Sequence, residues 1–261
     1  MKSPSIPFIP NYPDLAGKVA VVTGGSSELG AATAQALAKN GVSVAVVGRE
    51  QTAIDATVSG ILSKGGHAIG VAADCTVQSD VERLHDTVSK QLGSVDILAV
   101  FAGGNGMPVP TAKETVTHWR EVIEANLTST FLTISAFLTD MIERQSGAIV
   151  TMSSAAARQA AKSSAAYAAA KSGVIALSRH LAGEFSKDGI RVNCIAPSAI
   201  ETDHMRSRVP EEQRKALATA FPLGRLGQPE DVAAATLFLA SSASSWITGI
   251  TLDIAGGKVM L

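Results

Sequence analysis

Short apolar runs alternate along the chain with longer stretches in which apolar residues recur at helical spacing. The apolar runs have the composition of strands that are buried on both faces of a parallel sheet. Seven such strands are predicted, at residues 18–23, 42–47, 68–72, 96–101, 147–152, 190–196 and 250–254. Strands that alternate with helices predict βαβ units, and therefore an α/β fold with a doubly wound, mainly parallel seven-stranded sheet flanked by helices.

The predicted helices lie between these strands. They are expected at residues 31–40, about 50–64, 77–92, 115–126, 129–145, 165–187 and 229–240. Asn126 stands at the expected break between two of them. Residues 201–226 are polar, charged and interrupted by two prolines, which indicates a lid rather than core.

No linker divides the sequence, so residues 17–261 are expected to form a single domain. Residues 1–16 are rich in proline and have no continuous apolar segment, which predicts an extended N-terminal arm and not a signal peptide. Two alternatives stay open for this arm, which are disorder and packing on a neighbouring subunit.

Composition restricts the classes of function. Hydrophobic residues make up 46% of the chain and charged residues 17%, which is typical of a well-buried globular protein. A net charge of −1 gives no reason to expect nucleic acid or an anionic membrane as a partner, and no apolar run reaches the roughly 20 residues needed to span a bilayer. Two cysteines without a pairing framework favour a reducing compartment, and we expect a cytoplasmic protein. The five histidines lack ligand spacing, so no metal is expected.

Small and polar residues follow the predicted strands directly. They are Gly24, Arg49, Asp74, Ala102 with Gly103, Ser154 and Pro197. In a doubly wound sheet, ligands bind beyond the carboxyl ends of the strands. The turn from Gly24 to Gly30 opens a helix, so its backbone amides can face a pyrophosphate, although an ordinary strand-to-helix connection also uses glycine. The agreement among the strand ends predicts a dinucleotide site.

Tyr167 and Lys171 are candidates for proton transfer. They are four residues apart, which puts them on one helix face about 6 Å apart along the axis. The pKa of free tyrosine is about 10, and a lysine ammonium nearby favours the phenolate and lowers it. A serine such as Ser154 could hold a substrate oxygen beside the phenol. A surface helix with an ordinary tyrosine and lysine has the same spacing, so this motif alone does not establish a catalytic role for the pair.

Together these motifs resemble the short-chain dehydrogenase/reductase family along nearly the whole chain. The turn from Thr23 to Gly30 resembles the TGxxxGxG motif, and Ala102 with Gly103 matches the second half of the NNAG motif. Segments 222–225, 229–233 and 247–249 look like those of the 3-oxoacyl-acyl-carrier-protein reductase-like members. The resemblance implies a Rossmann-type fold, hydride transfer between a nicotinamide and a carbonyl carbon, and a homotetramer.

The resemblance also implies the roles of individual residues. Asn126, Ser154, Tyr167 and Lys171 fall on the catalytic tetrad. Tyr167 would exchange the proton, Lys171 would lower its pKa and hold the nicotinamide ribose, Ser154 would bind the carbonyl oxygen, and Asn126 would position a water. The implied cofactor-binding residues are Gly24, Ser26, Ser27, Leu29, Gly30, Arg49, Asp74, Cys75, Ala102, Gly103, Tyr167, Lys171, Pro197, Ile200 and Thr202.

The sequence departs from the family pattern in three places. Glu28 replaces the middle glycine of the turn, and we expect it to point harmlessly to solvent; the alternative is a weakened or altered cofactor affinity. Val100 and Phe101 replace the two asparagines of NNAG, where apolar packing is expected instead. Ser198 replaces a glycine and is small enough to be tolerated.

Arg49 decides the expected cofactor. An arginine after the second strand suits the 2′-phosphate of NADP(H), whereas enzymes that bind NAD(H) usually have an acid there. NADP(H) is therefore predicted, with NAD(H) as the alternative, because Arg49 could instead pair with Glu50.

The expected substrate is a ketone, a secondary alcohol or the carbonyl of an acyl thioester. Dehydrogenation of a sugar, steroid or other small alcohol stays open, as does a nucleotide-binding scaffold with little turnover. The cationic lid residues could meet an anionic carrier or form an ordinary solvated face; they are Arg206, Arg208, Arg214 and Lys215.

Overall fold

A sheet of seven parallel strands forms the centre of the computed structural model, which describes residues 8–104 and 108–260. The strands are β1 (Val19–Thr23), β2 (Ser43–Gly48), β3 (His67–Ala72), β4 (Ile97–Val100), β5 (Gly147–Met152), β6 (Ile190–Pro197) and β7 (Thr251–Ile254). Their order is β3-β2-β1-β4-β5-β6-β7. Strands β2 and β3 lie on one side of β1 and the last four strands on the other, so the order of the strands reverses between β1 and β4. The predicted doubly wound α/β fold is confirmed.

Nine α-helices are present in the described part of the chain. They are α1 (Glu28–Lys39), α2 (Gln51–Leu62), α3 (Gln78–Gln91), α4 (Val116–Ile123), α5 (Ser129–Glu143), α6 (Ala165–Phe185), α7 (Asp203–Arg208), α8 (Glu211–Ala218) and α9 (Pro229–Ala240). Side chains from α1, α2 and α9 pack on one face of the sheet, and side chains from α3, α5 and α6 pack on the other.

Helices cover both faces of the sheet, and successive side chains of a strand point to opposite faces, so each strand contributes to both cores. In β1, Ala20 and Val22 join the core under α1 and α9, whereas Val19 and Val21 join the core under α3 and α5. The central strands β1 and β4 are buried along their whole length, which is why they appear in the sequence as continuous apolar runs, whereas the edge strands β3 and β7 are less buried.

The expected helix break at Asn126 is wrong. A five-residue π-helical turn, Glu124–Thr128, joins α4 and α5 into one continuous helix. A π turn accommodates one extra residue. The side-chain amide of Asn126 donates to the carbonyl of Val122 (2.9 Å), and the hydroxyl of Ser129 donates to the carbonyl of Ala125 (2.7 Å), so local side chains satisfy carbonyls in the turn.

The joined helix Val116–Glu143 is long and apolar enough to cross a membrane by length and composition alone. It lies against β4, β5 and α6, and its buried side chains belong to the core on that face of the sheet. This packing is that of a core helix in a globular domain.

The segments predicted as lid and arm lie at the periphery. The lid contains α7 and α8, and neither helix has a buried residue. Residues 8–16 of the arm lie against their own chain: Leu15 is fully buried, and the amide of Tyr12 donates to the side chain of Asn40 (2.7 Å). Residues 1–7 of the predicted arm lie outside the described residues.

Candidate active site

A cleft of about 470 Å³ opens at the carboxyl ends of the first four strands, next to the point where the order of the strands reverses. Nine of the residues predicted from the sequence line it, namely Gly24, Ser26, Ser27, Arg49, Asp74, Cys75, Ala102, Gly103 and Asn126. The remaining predicted residues lie outside this lining: Leu29 and Gly30 in the first turn of α1, Ser154 after β5, Tyr167 and Lys171 on α6, and Pro197, Ile200 and Thr202 at and after the end of β6.

Gly24 and Gly30, in the turn after β1, have no room for a side chain. Gly24 has φ +66°, and a Cβ there would lie 2.9 Å from the carbonyl oxygen of Phe101. A Cβ on Gly30 would lie 2.1 Å from the carbonyl oxygen of Gly24. Ser27 precedes α1, and its hydroxyl donates to the carbonyl of Gly24 (2.6 Å). The turn therefore offers a backbone surface at a helix N-terminus, which suits the phosphates of a dinucleotide.

The end of β4 is held by Thr23. Its fully buried hydroxyl accepts hydrogen bonds from the amides of Phe101 (3.0 Å) and Ala102 (3.1 Å). Val100 and Phe101 are buried on opposite faces of the sheet, so apolar packing does replace the two asparagines of the family motif. No sequence motif indicates this role of Thr23, because only the pairing of β1 with β4 brings its hydroxyl to these amides.

Asn126 fastens the loop after β4 to the π-helical turn. Its Oδ1 accepts from the amide of Gly104 (3.0 Å), and its Nδ2 donates to the carbonyl of Gly104 (3.0 Å) as well as to Val122. Gly103 has φ +130°, and a Cβ there would lie 2.5 Å from Oδ1 of Asn126. The side chain therefore has a clear structural role, and the predicted positioning of a water stays a prediction.

The outer end of the cleft carries Arg49 and Asp74. None of the ion pairs found among residues 8–104 and 108–260 involves Arg49, so pairing with Glu50 is not seen. The carboxylate of Asp74 accepts from the amide (2.9 Å) and the hydroxyl (2.7 Å) of Thr76. These hydrogen bonds, together with the nearby Arg49, lower the pKa of Asp74.

Two further residues of the cleft wall are not marked by any sequence motif. His118 and Glu121, one helical turn apart on α4, line the cleft on the side of the π turn. Their offsets of eight and five residues from Asn126 are not the spacings of three or four that put side chains on one helix face. Burial raises the pKa of the Cys75 thiol to about 11, so this cleft residue is a neutral side chain near pH 7.

Helix α6 is joined to the end of β5 by two hydrogen bonds and is capped at its own N-terminus. The ammonium of Lys171 donates to the carbonyl of Met152 (2.9 Å), and the hydroxyl of Ser153 donates to the carbonyl of Lys171 (2.8 Å). Ser164 caps the helix, because its hydroxyl accepts from the amide of Tyr167 (3.1 Å). These contacts bring Tyr167 and Lys171 to the strand end that carries Ser154.

Burial is the main influence on the pKa values of Tyr167 and Lys171. It raises the pKa of Tyr167, and the hydroxyl of Ser154 offsets only part of that effect. Burial also lowers the pKa of Lys171 to about 8. Nζ of Lys171 lies 5.8 Å from the centroid of the Tyr167 ring. The expected net lowering of the Tyr167 pKa by Lys171 is therefore not found here, because desolvation dominates.

Glu28 does not point freely to solvent, contrary to expectation. Its carboxylate accepts hydrogen bonds from the amides of Asp203 and His204, the first two residues of α7, the latter at 3.1 Å. Thr202 caps the same helix through a hydrogen bond from the amide of Met205 to its hydroxyl (3.1 Å). The start of α1 is thus joined directly to the lid.

Most of the lid cations are paired within the lid. Arg206 contacts Asp203 (2.7 Å), Arg214 contacts Glu201 (3.0 Å), and Lys215 contacts Glu211 (2.6 Å). This pairing favours the solvated-face interpretation over a surface kept ready for an anionic carrier.

Comparison with known proteins gives the family. Residues 24–258 match the sequence profile of the family described as enoyl-(acyl carrier protein) reductase. The chain belongs to the short-chain dehydrogenase/reductase family.

Similar members of the short-chain dehydrogenase/reductase family differ in substrate. The cis-4-hydroxycyclohexanecarboxylate dehydrogenase of Sinomonas cyclohexanicum is 38% identical over 93% of this chain and 96% of its own. The 3-oxoacyl-[acyl-carrier-protein] reductase of Vibrio cholerae is 36% identical over 95% of this chain and 100% of its own. A solved 7α-hydroxysteroid dehydrogenase complexed with NADH and 7-oxo glycochenodeoxycholic acid has a TM-score of 0.89 and 34% identity, over 96% of this chain and 97% of its own.

The predicted enzyme class is therefore confirmed. This short-chain dehydrogenase/reductase is an NAD(P)-dependent oxidoreductase, and its relatives act on small-molecule carbonyls and alcohols.

Proposed function

We propose that this enzyme is an NADP(H)-dependent ketoreductase that interconverts a ketone and a secondary alcohol, with a 3-oxoacyl thioester as the first candidate substrate. The observation that carries the proposal is the half-buried phenol of Tyr167 beside Ser154 and Lys171, at the strand end next to the glycine-lined cleft. The 3-oxoacyl reductase of Vibrio cholerae, which is similar over nearly its whole length, supports the substrate class.

The proposed cofactor contacts follow the cleft. A nicotinamide cofactor, when bound, supplies or accepts the hydride. The backbone of Gly24, Ser26, Ser27, Leu29 and Gly30 would hold its phosphates, because Gly24 and Gly30 keep the turn compact at the N-terminus of α1. Asp74, Cys75, Ala102 and Gly103 would surround the adenosine end, and Lys171, Pro197, Ile200 and Thr202 the nicotinamide end.

Arg49 supports NADP(H) over NAD(H). Its guanidinium lines the cleft and takes part in none of the ion pairs of residues 8–104 and 108–260, so it is available for a phosphate. The steroid dehydrogenase structure with NADH is the reason to keep NAD(H) as the alternative.

The proton chemistry is assigned to four side chains. Tyr167 donates a proton to the carbonyl oxygen during reduction, and its raised pKa keeps it protonated for that role. The hydroxyl of Ser154 hydrogen-bonds the same oxygen and stabilises its developing charge. Lys171, with a pKa of about 8, can return a proton towards Tyr167 near neutral pH. Asn126 would position a water behind Lys171.

A second candidate substrate is a small alicyclic or steroid alcohol that is not attached to a carrier. The internal pairing of Arg206, Arg214 and Lys215 favours it, because an acidic carrier protein would need free cations on the lid. The two dehydrogenases of cyclic alcohols among the similar proteins point the same way.

A cytoplasmic homotetramer is the proposed form of the enzyme. The joined α4–α5 helix exposes the large apolar side chains of Val116, Trp119 and Phe131, which are suited to contact with another subunit.

Binding and turnover measurements test the proposed function. NADPH and NADH affinities are measured by fluorescence, and turnover is screened against 3-oxoacyl thioesters, cyclic diketones and steroid ketones. Arg49→Gln should weaken NADPH binding at least tenfold and leave NADH binding nearly unchanged, with the exposed Arg179→Gln as the matched control. Tighter binding of NADH than of NADPH by the native enzyme would contradict the cofactor proposal.

Tyr167→Phe tests the proton donor. It removes one hydroxyl and keeps the ring, so activity should be lost while NADPH affinity stays within about twofold. An active Tyr167→Phe enzyme would rule out the assigned role.

A further inference from the structure

We propose that Glu28 is a positioning residue that docks the lid on the cofactor turn before any cofactor is present, and that it does so at the expense of affinity for the dinucleotide phosphates. The second half of this proposal rests on the proposed function, whereas the docking of the lid does not.

The contact joins two distant parts of the chain. Both carboxylate oxygens of Glu28 are used, one by the amide of Asp203 and the other by the amide of His204. Among the residues that the structure describes, these are the only hydrogen bonds between the turn at 23–30 and the lid at 201–226. The glycine of the family motif could not make them, because it has no side chain.

The chemistry of the contact favours a stable latch. The first amides of a helix have no partner within the helix, and a carboxylate that accepts from them also interacts favourably with the helix dipole. Arg206 adds a positive charge beside this contact. It pairs with Asp203, which raises the pKa of Arg206, and Glu201 and Glu28 raise it further. Hydrogen bonds to a charged acceptor stabilise more than neutral ones, so loss of the carboxylate should release α7.

Other contacts of the lid do not replace this one. Glu201 binds Arg214 and the side-chain amide of Gln228 (3.2 Å), which holds the lid to the segment that follows it. Neither contact reaches the first turn of α1. Among the described residues, Glu28 is therefore the side chain that hydrogen-bonds the glycine turn directly to the lid.

The same charge lies at the N-terminus of α1, next to the residues proposed to hold the cofactor phosphates, although Glu28 itself does not line the cleft. Glu28 is the first residue of α1, directly after the Ser26–Ser27 pair that lines the cleft. A negative charge in the first turn competes with an anionic ligand for the positive end of the helix and repels it. We expect the native enzyme to bind NADPH about tenfold more weakly than a variant without this charge, which corresponds to about 1.4 kcal/mol.

Two variants separate hydrogen bonding from charge. Glu28→Gly removes both, whereas Glu28→Gln keeps one acceptor oxygen and removes the charge. Glu212→Gln on α8 is the matched control, because Glu212 is an exposed lid acid without a contact to the turn.

Hydrogen exchange on the cofactor-free protein tests the latch. The amides at 203–208 should exchange at least tenfold faster in Glu28→Gly, to an intermediate degree in Glu28→Gln, and as in the native protein in Glu212→Gln, with the amides of β4 as an internal reference for intact folding. Unchanged exchange at 203–208 in Glu28→Gly would overturn the docking role.

NADPH affinity tests the second half of the proposal. Both Glu28 variants should bind NADPH about tenfold more tightly than the native enzyme; equal or weaker binding would overturn the effect on affinity. If the native enzyme bound neither NADPH nor NADH, the proposed function would fail while the exchange result still judged the latch.

Discussion

Lys171→Met should stabilise the protein at neutral pH while it abolishes catalysis. The side chain of Lys171 is almost fully buried, and burial lowers its pKa from 10.5 to about 8. This difference corresponds to a cost of about 3 kcal/mol for keeping the ammonium charged in the folded state. The hydrogen bond from the ammonium to the carbonyl of Met152 is lost in the variant, which removes roughly 1.5–3 kcal/mol. We therefore expect a net gain of at most about 1.5 kcal/mol in the free energy of unfolding at pH 7.

The pH dependence identifies the cause of this gain. Because the folded pKa of Lys171 is lower than the unfolded one, its destabilising effect is complete below about pH 8 and disappears as the pH rises towards 10.5. Burial raises the pKa of Cys75, so the loss of its thiol proton acts in the opposite direction above pH 9. The difference between native and variant cancels Cys75 and leaves the contribution of Lys171 together with its interaction with the buried Cys194 thiol.

Urea unfolding at pH 7, 8.5 and 10 measures that difference. The advantage of Lys171→Met should shrink steadily over this range, and Lys162→Met, an exposed lysine in the preceding loop, should show no such trend. A variant that is less stable than the native protein at pH 7, with a difference independent of pH, would refute the reasoning.

Three further substitutions probe the supports of the site. Thr23→Val removes the acceptor of two buried amides and should lower the free energy of unfolding by about 2 kcal/mol in urea titrations; Thr23→Ser should restore most of it. His85→Gln tests a pH-dependent contact: burial opposes its charge, but hydrogen bonding to Asp140 raises the pKa, so its stabilising effect is complete below pH 6.5 and is lost as the pH rises through the folded pKa. The melting temperature should therefore fall more at pH 5.5 than at pH 8, and an equal fall would exclude this role. Arg158→Met breaks the bidentate contact to Asp253 (2.9 Å for both bonds) beside the turn that follows Ser154, so kcat should fall more than KM rises; a change in KM alone would contradict this.

The sheet could be predicted from the sequence because its pattern is local. A strand buried on both faces is a continuous apolar run, and the predicted bounds of β5 and α9 agree with the structure. The helix break at Asn126 could not be judged in this way. Whether a polar residue ends a helix depends on where its side chain bonds, and here the bonds run to Val122 and Gly104.

In the candidate site, too, only the features that follow from local sequence pattern could be predicted. Parallel strands bring their carboxyl ends to one edge, so residues that follow strands could be expected to meet there. The partner of Glu28 lies 175 residues further along the chain, and no local pattern announces it. The shift in the pKa of Tyr167 was also out of reach, because its direction depends on the balance of burial against neighbouring groups.

The π-helical turn sets the rotational phase of the long helix that crosses behind the site. His118 and Val122 line the cleft before the turn, and Ile134, Phe137 and Met141 fill the core after it. In a regular α-helix these two stripes would differ by roughly 100° around the axis, the rotation of one residue. The extra residue accommodated by the π turn brings them to the same side. Deletion of one residue within 124–128 would restore regular helix geometry, yet it would turn either the cleft wall or the core stripe out of place.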